Sequence, residues 1–198
     1  MPAQTQWEAL FDVELILNRF NLTGEVAELG CGYGTFTLPL ARRAAGTVHA
    51  IDIDPEMIDT VRRRAAAERL TNIDARLRDV TTEGFGLEDR CDACLLFNIL
   101  HGESPIELIR EARRVLRPGG ALAVIHWRSD IATPRGPPAE IRPTAPMIVA
   151  WAAEAGGLEL ADGPFLLQPW HYGLKFKALV RPTTSPDRST VSRYPLRW

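Results

Sequence analysis

Cysteine is scarce in this chain, with Cys31, Cys91 and Cys94 the three present among 198 residues. An odd, sparse set excludes a disulfide scaffold and suits a reducing compartment. Long apolar runs are missing as well. None approaches the roughly 18–20 residues needed to cross a bilayer, and the opening MPAQTQWEAL has no basic stretch leading into an apolar one. No secretory signal is read there, so the expected location is cytoplasmic and no membrane partner is expected. An excess of one charge is also absent. Lys and Arg number 23 against 25 Asp and Glu, for a net charge of −2. That balance removes the simplest electrostatic reason to expect nucleic acid as a partner. No internal repeat is found.

What is present fits one folded domain of ordinary composition, 45% hydrophobic and 24% charged. Residues 5–20 carry Trp7, Leu10, Phe11, Ile16, Leu17 and Phe20 at helical spacing, with Thr5 and Glu8 in a capping-box pattern. One amphipathic helix is expected over that stretch. Strands then alternate with helices. Strands are predicted at 25–29, 47–52, 73–78, 91–97 and 121–127, and helices at 35–45, from Asp54-Pro55 to about Leu70, and from Ser104-Pro105 to about Leu116. The second helix start, Ser104-Pro105-Ile106-Glu107, again reads as a capping box. Arg117-Pro118-Gly119-Gly120 reads as a turn before the fifth strand. Such alternation predicts a parallel sheet covered on both faces.

Residues 128–146 hold Pro134, Pro137, Pro138, Pro143 and Pro146 and read as a long loop, uncommon in a compact domain unless functional. A helix over Met147–Ala155 stops at Gly156-Gly157. Two strand candidates, 158–167 and 171–180, are close enough to pair antiparallel. The domain is therefore drawn at 1–180. Residues 181–198, rich in Ser, Thr and Pro with Arg181, Arg188, Arg193 and Arg197, read as a flexible tail.

The most specific motif is Glu28-Leu29-Gly30-Cys31-Gly32-Tyr33-Gly34-Thr35, between a strand and a helix. Glycines there permit a tight turn and close approach of a ligand to the backbone. A dinucleotide fingerprint would place its third glycine where Thr35 stands, and Glu28 would sit badly beside a pyrophosphate. An acidic residue before G-x-G-x-G resembles the first motif of class I S-adenosylmethionine-dependent methyltransferases. Asp52, ending the second strand, is similar to the family's ribose-binding acid, followed by Ile53 and, after Asp54-Pro55-Glu56, Met57. Arg78-Asp79-Val80 resembles the stretch that contacts the adenine amine, and Arg117-Pro118-Gly119-Gly120 is another shared feature.

The resemblance covers about residues 25–127. It implies a Rossmann-like three-layer αβα sandwich whose seven-stranded, mostly parallel sheet has an antiparallel last strand. It also implies S-adenosylmethionine as cofactor, held by Glu28, Gly30, Cys31, Gly32, Gly34, Asp52, Ile53, Met57, Asp79, Val80 and Asn98. No metal is expected. Ionised carboxylates suit the cofactor's diol, adenine amine and ammonium through charge-assisted hydrogen bonds.

An acceptor should lie at the carboxyl ends of the strands, which points to Phe97, Asn98 and His101 after the fourth and to His126, Trp127 and Arg128 after the fifth. His101 and His126 are the candidate bases. Each has a plainer reading, as a residue leading into a helix and as a strand end bonded to backbone. The Pro-rich loop and Trp170, His171 and Tyr172 are candidates to cover the site, and the N-terminal helix and that loop are candidates for a lid or a homodimer contact.

After the fourth strand stands Asn98-Ile99-Leu100-His101, which lacks the Pro-Pro-aromatic pattern of enzymes that methylate base amines. The stretch resembles small-molecule members instead, so a small-molecule acceptor is expected. Cys91-x-x-Cys94 lies on a strand, with its side chains expected on opposite faces, unlike a redox pair or a zinc site. Two alternatives stay open. One is a non-catalytic S-adenosylmethionine-binding subunit, the other a nicotinamide-dependent dehydrogenase.

Overall fold

The computed structural model describes residues 3–180, so the tail predicted over 181–198 lies outside the described residues. Two short helices come first, α1 (Gln4–Glu8) and α2 (Val13–Phe20). There follow β1 (Val26–Leu29), α3 (Thr37–Arg43), β2 (Val48–Asp52), α4 (Pro55–Ala67), β3 (Ile73–Leu77) and α5 (Val80–Glu83). The second half runs β4 (Cys91–Phe97), α6 (Pro105–Val115), β5 (Leu116–Trp127), α7 (Ala145–Ala155), β6 (Leu158–Leu167) and β7 (His171–Ala178).

All seven strands form one sheet in the order β3-β2-β1-β4-β5-β7-β6. Pairing is parallel from β3 to β5, and β7 runs antiparallel to both β5 and β6. The chain order reverses between β1 and β4, and a ligand crevice is expected outside the carboxyl ends of these two strands. Central strands are buried on both faces, which is why they read as continuous apolar runs rather than alternating ones. Ala27, Cys94, Leu96, Leu122 and Val124 face the cluster that includes residues of α6 and α7. Val26, Ala93, Leu95, Ala123 and Ile125 face the one that includes residues of α2 and α3.

Several expectations are corrected. The helix over 5–20 is two helices, because Asp12 accepts a hydrogen bond from the Leu15 N–H (3.0 Å) and starts α2 afresh. Thr5 and Glu8 form no capping box; α1 starts after Ala3 without a side-chain cap, and Glu8 accepts from Arg64 instead. Ser104 likewise makes no capping bond, and Glu107 pairs with Arg110. The Arg117–Gly120 turn lies inside β5 as an irregularity, where the register with β4 jumps between Cys91 and Ala93. Cys91 and Cys94 both belong to one apolar cluster. Both thiols are free and pushed up by burial, Cys91 to about 12.

The Pro-rich loop holds one short 3-10 turn at Ala139–Ile141, and the helix after it begins at Ala145. It is tied down at its end. The Arg142 guanidinium donates to the carbonyls of Pro137 and Arg128 (both 2.8 Å), and the Tyr172 hydroxyl donates to Pro143 O (2.6 Å).

Candidate functional site

The loop after β1 is the backbone of the site. Gly30, Gly32 and Gly34 all have positive φ, a region costly for other residues. The N–H groups of Gly30 and Cys31 both donate to Ile51 O (2.8 and 3.1 Å), so the loop is pinned to the end of β2. At Gly30 a Cβ would come within 2.9 Å of the Ile99 side chain. Only a hydrogen fits between the two strand ends there. Gly34 serves the turn itself, its N–H donating to Cys31 O (2.8 Å).

Two cavities meet at Gly30 and Ile99. The first, about 140 Å³, is walled by Glu28, Gly30, Cys31, Gly32, Thr35 and Asn98 and closed by the rings of Trp7, Phe36 and Phe97. The second, about 200 Å³, lies over Leu29, Asp52, Ile53, Arg78, Asp79, Val80, Thr81 and Leu108. Together they make a trough across the strand ends, with one carboxylate at its closed end and two at its open end.

The closed end holds polar groups left without partners. Thr35 Oγ1 and both amide atoms of Asn98 are buried with no hydrogen bond. Such atoms normally find partners, and an exception calls for an explanation. Asn98 also has φ 59, the left-handed conformation that Asn tolerates better than most residues, held by its N–H donating to Ile125 O (2.8 Å). Glu28 is 2% exposed and accepts one bond, from the Thr37 hydroxyl (2.6 Å). Burial pushes its carboxyl up to about 8, with Asp52 adding repulsion and Thr37 opposing. At neutral pH Glu28 is mostly a carboxylic acid. Cys31, in the same wall, is held far up chiefly by burial, which disfavours its thiolate.

At the open end Asp52 accepts from the Gly32 N–H (2.9 Å) and the Asp54 N–H (3.0 Å), one on each oxygen. Each oxygen keeps a lone pair for a ligand. Asp79 caps α5, accepting from the Thr81 hydroxyl (2.6 Å) and N–H (2.9 Å), which hold its carboxyl below the usual range.

Of the residues expected from the sequence, Glu28, Gly30, Cys31, Gly32 and Asn98 line the first cavity, and Asp52, Ile53, Asp79 and Val80 the second. Met57 is buried in α4 and lines neither. His101 and His126 lie together, their ring centroids 5.5 Å apart, but line neither cavity. His101 Nδ1 and His126 Nε2 are buried without partners. Burial lowers both rings, His126 to about 4, so both are neutral at physiological pH. Sequence reasoning missed Thr37 and the partnerless hydroxyl of Thr35, since a threonine beside a motif has no signature of its own.

Residues 26–120 match the family model described as a methyltransferase domain. The aklanonic acid methyltransferase of a Streptomyces strain is 42% identical over 67 residues, covering 32% of this chain and 30% of that one. A ubiquinone biosynthesis O-methyltransferase of Xanthomonas oryzae is 32% identical over 112 residues, 56% of this chain and 46% of that one. The chain thus spans less than half the length of these curated relatives. The structure of a methyltransferase from Aquifex aeolicus superposes with a TM-score of 0.77 over 89% of this chain and 94% of that chain, at 23% identity, so the fold is shared.

Proposed function

We propose that this chain, which carries a class I S-adenosylmethionine-dependent methyltransferase domain, transfers a methyl group to a small-molecule acceptor. The observation that carries the reading is the trough over Gly30. It has buried, partnerless polar groups at its closed end and Asp52 and Asp79 at its open end. The residues fit the cofactor. Asp52 offers spare lone pairs to a ribose diol and Asp79 faces the place for an adenine amine. Glu28, Thr35 and Asn98 supply acceptors and a donor for an amino-acid moiety. When bound, the cofactor supplies a methyl group already activated on a sulfonium sulfur.

The chain's own part is then alignment. Bringing acceptor and methyl carbon into line can contribute about 7–11 kcal/mol. Glu28 ionises against the ammonium, and the Trp7, Phe36 and Phe97 rings exclude water from the closed end. Where the acceptor must lose a proton, His101 takes it, being the half-buried member of the histidine pair, with His126 behind it as a positioning residue. The names of the relatives, an aklanonic acid methyltransferase and a ubiquinone biosynthesis O-methyltransferase, support a small molecule as acceptor. No helix among the described residues is long and apolar enough to cross a membrane, and the three free cysteines suit the cytoplasm.

Calorimetric titration with S-adenosylmethionine, S-adenosylhomocysteine and NAD tests the cofactor. Micromolar binding of the first two and none of the third is expected, and NAD binding alone would sink the reading. Turnover in a screen of small O, N and S nucleophiles separates an enzyme from a non-catalytic binding subunit.

A further inference from the structure

Behind the wall of the closed-end cavity two buried polar side chains are joined. Glu28 shares with Val26 the face of β1 that α3 covers, and Thr37 is the first residue of α3. Thr37 is fully buried, and its hydroxyl donates to Glu28 Oε2 at 2.6 Å. The strand residues in register with Glu28 are Ala50 on β2 and Leu95 on β4, and neither has a polar side chain to offer. Thr37 is thus the hydrogen-bond partner of this carboxyl among the described residues, and Oε1 is left for a ligand. Glu28 lines the cavity, whereas Thr37 stands behind it.

The hydroxyl is not spent on the helix. α3 begins after Phe36 with no side-chain cap, and a valine at position 37 would have the same shape. A hydroxyl donor favours an ionised carboxylate more than a neutral acid. With Oε2 taken, the proton of the neutral acid sits on Oε1, the oxygen that a cation would need. Burial is the main reason Glu28 holds that proton up to about 8, Thr37 opposes it, and Asp52 at the end of β2 adds to it. The other titratable groups beside Glu28 are the thiols of Cys31 and Cys94, both held up by burial and uncharged. None of them eases the loss of the proton.

We propose that Thr37 is a positioning residue for cofactor binding: its hydroxyl fixes Glu28 Oε2, directs Oε1 to the cofactor's ammonium, and sets the pH at which Glu28 can receive it. The proposal rests on the methyltransferase reading and adds to it a residue that touches no ligand. Thr37 acts through Glu28 alone, so its effect should vanish once position 28 can no longer ionise.

The test follows the Glu28 carboxyl in the full chain by carbon NMR of protein with isotope-labelled glutamate, the resonance being assigned by its loss in Glu28→Gln. Thr37→Val keeps the shape without the hydroxyl and should raise the titration midpoint by about one pH unit. Thr37→Ala, a second variant lacking the hydroxyl, should move it the same way, and Thr37→Ser should restore the wild-type midpoint. By calorimetry at pH 7, S-adenosylhomocysteine should bind Thr37→Val about tenfold more weakly than wild type, since about a tenth as much Glu28 is ionised. Thr37→Ser should bind it as wild type does. In a Glu28→Gln background, Thr37→Val should cost no further affinity. A purely structural threonine would instead weaken binding equally in both backgrounds and leave the midpoint where it is. Either of those results, or a raised midpoint with no loss of affinity, would overturn the proposal. Failure of S-adenosylhomocysteine to bind wild type would overturn the methyltransferase reading, while the carboxyl titration of the free protein still decides whether Thr37 controls the Glu28 proton.

Discussion

The two ends of the sheet treat buried polar groups in opposite ways. At the amino ends of the strands they are matched. His49, 2% exposed, has Glu25 on Nε2 (2.7 Å) and Asp74 on Nδ1 (3.1 Å), and Arg90 and Arg76 pair with those carboxylates. Burial works to raise the Glu25 carboxyl, but the hydrogen bonds from His49 and Arg90 outweigh it and hold it below the usual range. Asp92 accepts from the Glu25 N–H (2.7 Å) and pairs with Arg117 (3.0 Å). At the carboxyl ends Thr35, Asn98, His101, His126 and His171 keep buried atoms without partners, and Glu28 carries a proton it would not hold in water. One end stabilises the fold. The other is unsatisfied in the way a binding site is, with stability given up where a ligand supplies the missing contacts.

Glu28 offers the largest test of that contrast. A protonated Glu28 must lose its proton before it can face the cofactor's ammonium, so affinity for S-adenosylhomocysteine should rise about tenfold per pH unit from pH 6 towards 8 and level off above. Glu28→Gln should remove that slope, and a sloped calorimetric profile in the variant would break the argument. Stability has the opposite sign. The folded value near 8 lies above the ordinary 4.5, so the folded state holds the extra proton between them. Stability is full below about 4.5 and is lost as pH rises through about 8.

At the matched end, His49→Ala leaves two carboxylates without their shared partner and should cost about 2 kcal/mol of unfolding free energy. Urea denaturation measures this, and cofactor affinity should not change. A loss of affinity as large as the loss of stability would mean that the two ends are coupled.

Asp52→Ala should weaken S-adenosylhomocysteine binding by about a factor of ten, through the lost ligand contact and the freed Gly32 N–H. Unchanged affinity would remove Asp52 from the site. The smallest effect is expected on the surface, where Asp59 and Arg62 are both exposed and 3.5 Å apart. Asp59→Ala should shift stability by no more than about 0.5 kcal/mol, and a larger shift in the same urea titration would undermine the scale of the other comparisons.

Much of this is legible in the residues alone. The strand ranges near 26–29, 48–52 and 91–97 stand out because parallel strands buried on both faces are short, continuous apolar runs. Asp54-Pro55 marks the start of α4 because Pro suits the first helical turn and the Asp54 side chain accepts from the Glu56 N–H (2.8 Å). The glycine loop and its carboxylates are legible for a similar reason, since each residue acts through local backbone geometry or charge at a strand end. The 5–20 helix misled because its apolar period continues through Leu10 and Phe11, while Asp12 restarts the hydrogen bonding. Thr5 and Ser104 misled because a capping pattern says what a side chain can do, while Arg64 and Arg110 claimed the glutamates.

The sequence by itself determined the alternation of strands and helices, the glycine turn and the acidic strand ends, because these follow from local sterics, periodicity and charge. Only the tertiary structure decided which polar groups would be left unpaired. It set His49 between two carboxylates while leaving Nε2 of His126 and of His171 without a partner, although all three are histidines on strands. Partnering depends on what neighbouring strands and loops bring within about 3 Å, and that is settled by strand order and register rather than by the identity of the residue.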